Sequence, residues 1–119
     1  MKSIPDSVTA SRKLIVATAL AFALNPVAAQ SVNEDAAVAL AKAGNCFRCH
    51  SIDKAKKAPS YKRIAAKYKG KDGETELIKH LSGAQKVKID DGGDEDHEPP
   101  PAKDKADLVN LVRWILSRE

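Results

Sequence analysis

The sequence predicts an all-α domain of four to five short helices, and three observations lead there. Apolar residues recur at three- and four-residue steps in four separate segments, the spacing of a helix face. No stretch alternates apolar and polar for long enough to make a strand; Val87-Lys88-Ile89 comes nearest and has only three residues. Finally, 119 residues that are 43% hydrophobic and 30% charged, with a net charge of +4, fit one small folded domain rather than a disordered chain.

The chain opens on an address. Lys2, Arg12 and Lys13 make a basic start, Leu14 to Leu24 is an apolar run, and Val27-Ala28-Ala29 offers small residues at a signal-peptidase cut. Residues 1–29 are therefore expected to be a signal peptide and residues 30–119 the mature domain, exported to the periplasm in a Gram-negative cell. The run is shorter than the roughly 18 to 20 residues that span a bilayer, so stable membrane insertion is not expected.

In the mature chain, Ser31-Val-Asn-Glu34 has capping-box spacing and Gly44 can close a helix over 32–43. Tyr61, Ile64, Ala65 and Tyr68 mark a second helix ahead of Gly70, and Leu77, Ile78 and Leu81 a shorter third one ended by Gly83. Leu108, Leu111, Val112, Ile115 and Leu116 give the strongest stripe, a helix over 104–117 with Asp104 and Asp107 at its start. Between the last two helices, Asp90 to Pro101 holds six carboxylates, two glycines, three prolines and His97, and reads as a solvated loop without the regular spacing of a calcium loop.

So small a domain, with only Phe47, Tyr61, Tyr68 and Trp114 as aromatics beyond the leader, needs something more to fill its interior. Cys46-Phe-Arg-Cys49-His50 supplies the candidate: C-x-x-C-H is the attachment signature of c-type haem. Two intervening residues put both sulfurs on one side of a helical turn, ready to add to two vinyl groups as thioethers, and His50 follows as an imidazole ligand for the iron. The competing chemistries fit poorly. A zinc site would have to recruit His80 and His97, too far apart in sequence, and a thioredoxin-like pair lacks its βαβ setting.

With these residues in view the chain resembles the class I cytochromes c, in particular the small bacterial monohaem type similar to cytochrome c551. The likeness runs through Gly44-Asn-Cys-Phe-Arg-Cys-His50, Ala58-Pro-Ser-Tyr-Lys-Arg-Ile-Ala-Ala-Lys-Tyr-Lys-Gly70 and Leu111-Val-Arg-Trp-Ile-Leu-Ser117. It implies a class I cytochrome c fold around one covalent haem, with the first and last helices crossing near a haem edge. It also implies that the Pro59 carbonyl accepts a hydrogen bond from His50, orienting the ring. Ala58 stands where the family usually has Gly.

The family's second axial ligand is a Met just before a Pro-Pro pair, but the only methionine here is Met1. The corresponding stretch reads Asp96-His97-Glu98-Pro99-Pro100-Pro101, which makes His97 the expected distal ligand of a bis-histidine iron. The competing assignments are a site left open or filled by water or lysine, and His80. Bis-histidine ligation lowers the potential relative to Met/His, and the neighbouring carboxylates favour ferric iron as well. The same acids are expected to favour protonated His97 and so to break the distal bond in mild acid.

From Lys42 to Lys88 there are 13 basic and 4 acidic residues, a face suited to steering the molecule onto an acidic redox partner. No nucleic-acid-binding motif accompanies it. The expected function is a one-electron carrier without substrate chemistry. An open-site haem protein that binds a small gas or peroxide, and a small subunit of a larger redox complex, are the alternatives.

Overall fold

A computed structural model of the chain describes Ser3 and residues 30–119; the leader expected over 1–29 lies, Ser3 apart, outside the described residues. In order these form α1 (Glu34–Ala43), a 3₁₀ turn (Cys46–Arg48), α2 (Tyr61–Tyr68), α3 (Gly73–Leu81), β1 (Gln85–Lys88), β2 (Asp94–His97) and α4 (Lys105–Leu116). Helices α1, α2 and α3 all pack on α4. The stripe that predicts α4 becomes the floor of the core: Trp114, Leu111 and Val112 are its largest fully buried side chains. Ala37 and Ala41 of α1 are buried with them, and their small size lets the two helices approach closely.

Among the described residues every α-helix begins on a side-chain cap. Asn33 Oδ1 accepts from the Ala36 amide, Ser60 Oγ from Arg63, Asp72 Oδ1 from Thr75 and Asp104 Oδ1 from Asp107. The first helix thus starts two residues later than the capping-box spacing suggests, because Asn33 takes the role expected of Ser31. Asn33 also explains the crossing of α1 over α4. Its amide donates to Asn110 Oδ1 at 2.8 Å while Asn110 Nδ2 donates back to the Asn33 carbonyl at 2.8 Å, leaving neither backbone group unpaired.

Helix α3 begins four residues before its apolar stripe, at Gly73. A Cβ there would lie 2.6 Å from Tyr68 Cβ and 3.0 Å from a Leu116 methyl, so only glycine lets α2, α3 and α4 converge. Arg113 of α4 then grips Glu74 of α3 with two hydrogen bonds of 2.9 and 3.1 Å.

One element departs from the expectation. The acidic run is not wholly loop: β1 and β2 form an antiparallel hairpin in the register Gln85–His97, Lys86–Asp96, Val87–Glu95 and Lys88–Asp94. Charge rather than apolar alternation holds the pair together. Lys86 Nζ lies 2.7 Å from Asp96 Oδ1, and Lys88 Nζ 2.9 Å from Asp94 Oδ1. The turn closes with the Gly92 amide donating to the Ile89 carbonyl, Gly92 taking a φ of 85° that glycine adopts without strain.

Candidate functional site

The five residues of the C-x-x-C-H motif form a single turn. Asn45 enters it in the left-handed region, with φ of 55°, and the Cys49 and His50 amides both donate to the Cys46 carbonyl, at 3.2 and 2.9 Å. Cys46 and Cys49 are free, half-buried thiols. Their turn abuts the Pro-Pro segment, for Pro100 and the Cys46 sulfur both crowd the space beside Gly44.

His50 is held from two sides. Its Nδ1 lies 2.6 Å from the Pro59 carbonyl oxygen. A carbonyl only accepts, so Nδ1 carries the hydrogen and Nε2 keeps the bare lone pair that a metal ligand requires. Tyr61 stacks on the ring at 5.3 Å with the planes 17° apart, and packs edge-on against Trp114 at 5.3 Å. Burial pushes the His50 pKa below its usual value, with the Pro59 carbonyl acting the other way, so the ring is neutral near pH 7. Burial also raises the Tyr61 phenol, aided by the Cys46 thiol it faces.

Ala58, where the family prefers glycine, fits its loop without a left-handed backbone. Its amide donates to the Cys49 carbonyl at 3.1 Å, and the Tyr61 amide to the Ser51 carbonyl at 2.9 Å, so the loop that presents Pro59 is closed by ordinary bonds.

Across from His50 stands His97, the last residue of β2. The two ring centres are 6.3 Å apart. Two imidazoles bound to one metal at ~2.0–2.1 Å put their centres about 6 Å apart, so this spacing suits an ion between them. His97 Nδ1 is buried without a hydrogen-bond partner, an orphan that asks for a function. His80 of α3 also lies against His97, the ring centres 4.7 Å apart. A cleft of about 350 Å³ with a mixed lining, Ile78, Leu81 and Leu108 beside Ser82, Asp104 and Lys105, lies along Pro99 and Pro100; neither the thiols nor the imidazoles line it. Two thiols on one turn and two neighbouring imidazoles make a donor set that fits haem.

The expected acid lability of His97 loses its cause. Its pKa is lowered, by burial first and then by His80 and His50, rather than raised by carboxylates. The carboxylates are engaged elsewhere: Asp94 and Asp96 pair with Lys88 and Lys86, and Glu95 lies 3.8 Å from Lys57. Sequence reasoning also missed Tyr61 as the stacking partner of His50, having it only in a helix stripe. It missed the hairpin too, although Asp-Gly between Lys-x-Lys and Asp-x-Asp was a readable signal.

The cytochrome c family model matches residues 35–119. The chain belongs to the cytochrome c family. It is 36% identical over 81 residues to cytochrome c2 of Rhodocyclus tenuis, an alignment covering 66% of this chain and 88% of that protein. Cytochrome c-551 of Pseudomonas aeruginosa is 34% identical over 82 residues, covering 67% and 74%. The crystal structure of the class 1 cytochrome MtoD from Sideroxydans lithotrophicus ES-1 superposes with a TM-score of 0.69 at 47% identity, over 73% of this chain and 97% of that one. This is a monohaem class I c-type cytochrome, an electron carrier with covalently attached haem c rather than an enzyme. Among the described residues no helix is long and apolar enough to cross a membrane.

Proposed function

We propose that residues 30–119 of this cytochrome form a periplasmic, low-potential one-electron carrier, released from a leader over residues 1–29 and bis-histidine ligated. Cys46 and Cys49 would hold the haem through thioether bonds, and His50 and His97 would supply the two imidazole ligands of its iron. Haem c, when bound, supplies one-electron exchange at its iron. The protein fixes the conditions of that exchange. The Pro59 carbonyl holds the His50 tautomer and makes its Nε2 a better donor, while the Tyr61 stack keeps water from the ring. The observation that carries the reading is the pair of imidazoles facing each other at 6.3 Å in a chain whose only methionine is Met1.

With imidazole in place of the thioether, the potential should lie below that of Met-ligated relatives. Arg48, exposed between the two cysteines, and the exposed Lys54 offer an acidic partner a docking point beside the attachment turn, with rates that fall as salt rises. Optical and EPR spectra of the holoprotein test the ligation. A low-spin ferric spectrum that becomes high-spin in His97→Ala is expected; an unchanged spectrum in that variant removes His97 from the iron.

A further inference from the structure

The acidic run of the sequence has no part in haem attachment, yet it pairs residue by residue with β1 just before His97. The burial of the hairpin shows why its register matters. Lys86, Lys88, Asp94 and Asp96 face solvent, while Val87, Glu95 and His97 are half-buried on the other face. A slip of one residue would exchange the faces and turn His97 to solvent. In most hairpins an apolar face fixes the register. Here Val87 is the one apolar side chain in the eight strand residues, and a two-stranded hairpin is marginal by itself. Two cross-strand ion pairs carry the specification instead, at 2.7 and 2.9 Å, and their lysines and carboxylates stand directly opposite one another. The turn is moored to the body by the Asp90 amide, which donates to the Lys57 carbonyl at 3.0 Å, and by the Glu95–Lys57 pair.

We propose that Lys86 and Lys88 are positioning residues for the distal ligand: through Asp96 and Asp94 they lock the hairpin register that presents His97, making an electrostatic latch on the sixth coordination position. The inference rests on His97 as distal ligand. All four side chains are more than half exposed, so the latch weakens with salt and each pair contributes modestly.

The test uses ferric holoprotein and imidazole as the competing ligand, read from the optical spectrum. Lys86→Glu/Lys88→Glu, which sets like charges opposite each other, should bind imidazole about tenfold more tightly than the unaltered protein at low salt. Adding Asp94→Lys/Asp96→Lys should restore the original affinity by exchanging the charges. In the unaltered protein, rising sodium chloride should strengthen imidazole binding, an effect that the milder Lys86→Gln/Lys88→Gln variant lacks and that serves if the reversed variant does not fold. Affinities within twofold of the original in the lysine variants, or no restoration on exchange, overturn the latch. His97→Ala separates the two failures. If it opens the site while the lysine variants do nothing, only the latch fails; if its spectrum is unchanged, the distal assignment and the latch fail together.

Discussion

Tyr61 does more than its place in a helix stripe suggested. It is 2% exposed, stacks on His50, meets Phe47 and Trp114 edge-on and faces the Cys46 sulfur. Tyr61→Ala would open a cavity against His50 and is expected to cost ~3–5 kcal/mol in denaturant unfolding, whereas Tyr61→Phe keeps the ring stack and should cost about 1 kcal/mol. A pH dependence accompanies it. Burial keeps the phenol protonated in the folded chain above the ordinary tyrosine range, while the unfolded chain releases that proton near pH ~10. The folded state then holds the extra proton, so this contribution is complete below about pH 10 and declines as pH rises further. An alkaline stability profile that is flatter in Tyr61→Phe is the expected result.

At the scale of elements, the junction of α2, α3 and α4 is the tightest feature. Gly73→Ala must push a methyl into Tyr68 and Leu116, and is expected to lower stability by ~1–3 kcal/mol in a thermal or urea transition. The cap one residue earlier responds to acid. The Asp72 carboxyl is held below its usual pKa by the Thr75 amide, so its stabilising effect is present above pH ~3.9 and is lost as pH falls through the depressed value. Asp72→Asn, which keeps the acceptor but not the charge, should flatten the acid limb of the melting-temperature profile while leaving α3 formed. The four helices were legible because their stripes and caps are local in sequence. The hairpin left a fainter signal, Lys-x-Lys and Asp-x-Asp around Asp-Gly, because its cohesion comes from charges that become partners once the chain turns back at Gly92.

At the scale of the whole molecule, α4 gathers the other helices, yet among the described residues only Trp114, Leu111 and Val112 are large side chains less than 2% exposed. A core of that size is thin for independent stability. Replacing both cysteines with alanine, so that haem is not attached, is expected to leave a chain whose far-UV circular dichroism melts without a cooperative transition; a sharp melt would show that the helices suffice alone. By itself the sequence determined the class of fold and the C-x-x-C-H turn, because helix stripes and the motif are both written in local spacing. Only the tertiary structure decided what surrounds them. Pro59 fixes the His50 tautomer, Tyr61 covers that ring, and His97 is brought opposite His50 on the inner face of a salt-bridged hairpin. Each of these depends on distances between residues far apart in the chain, and such distances are set by packing and charge pairing rather than by local spacing.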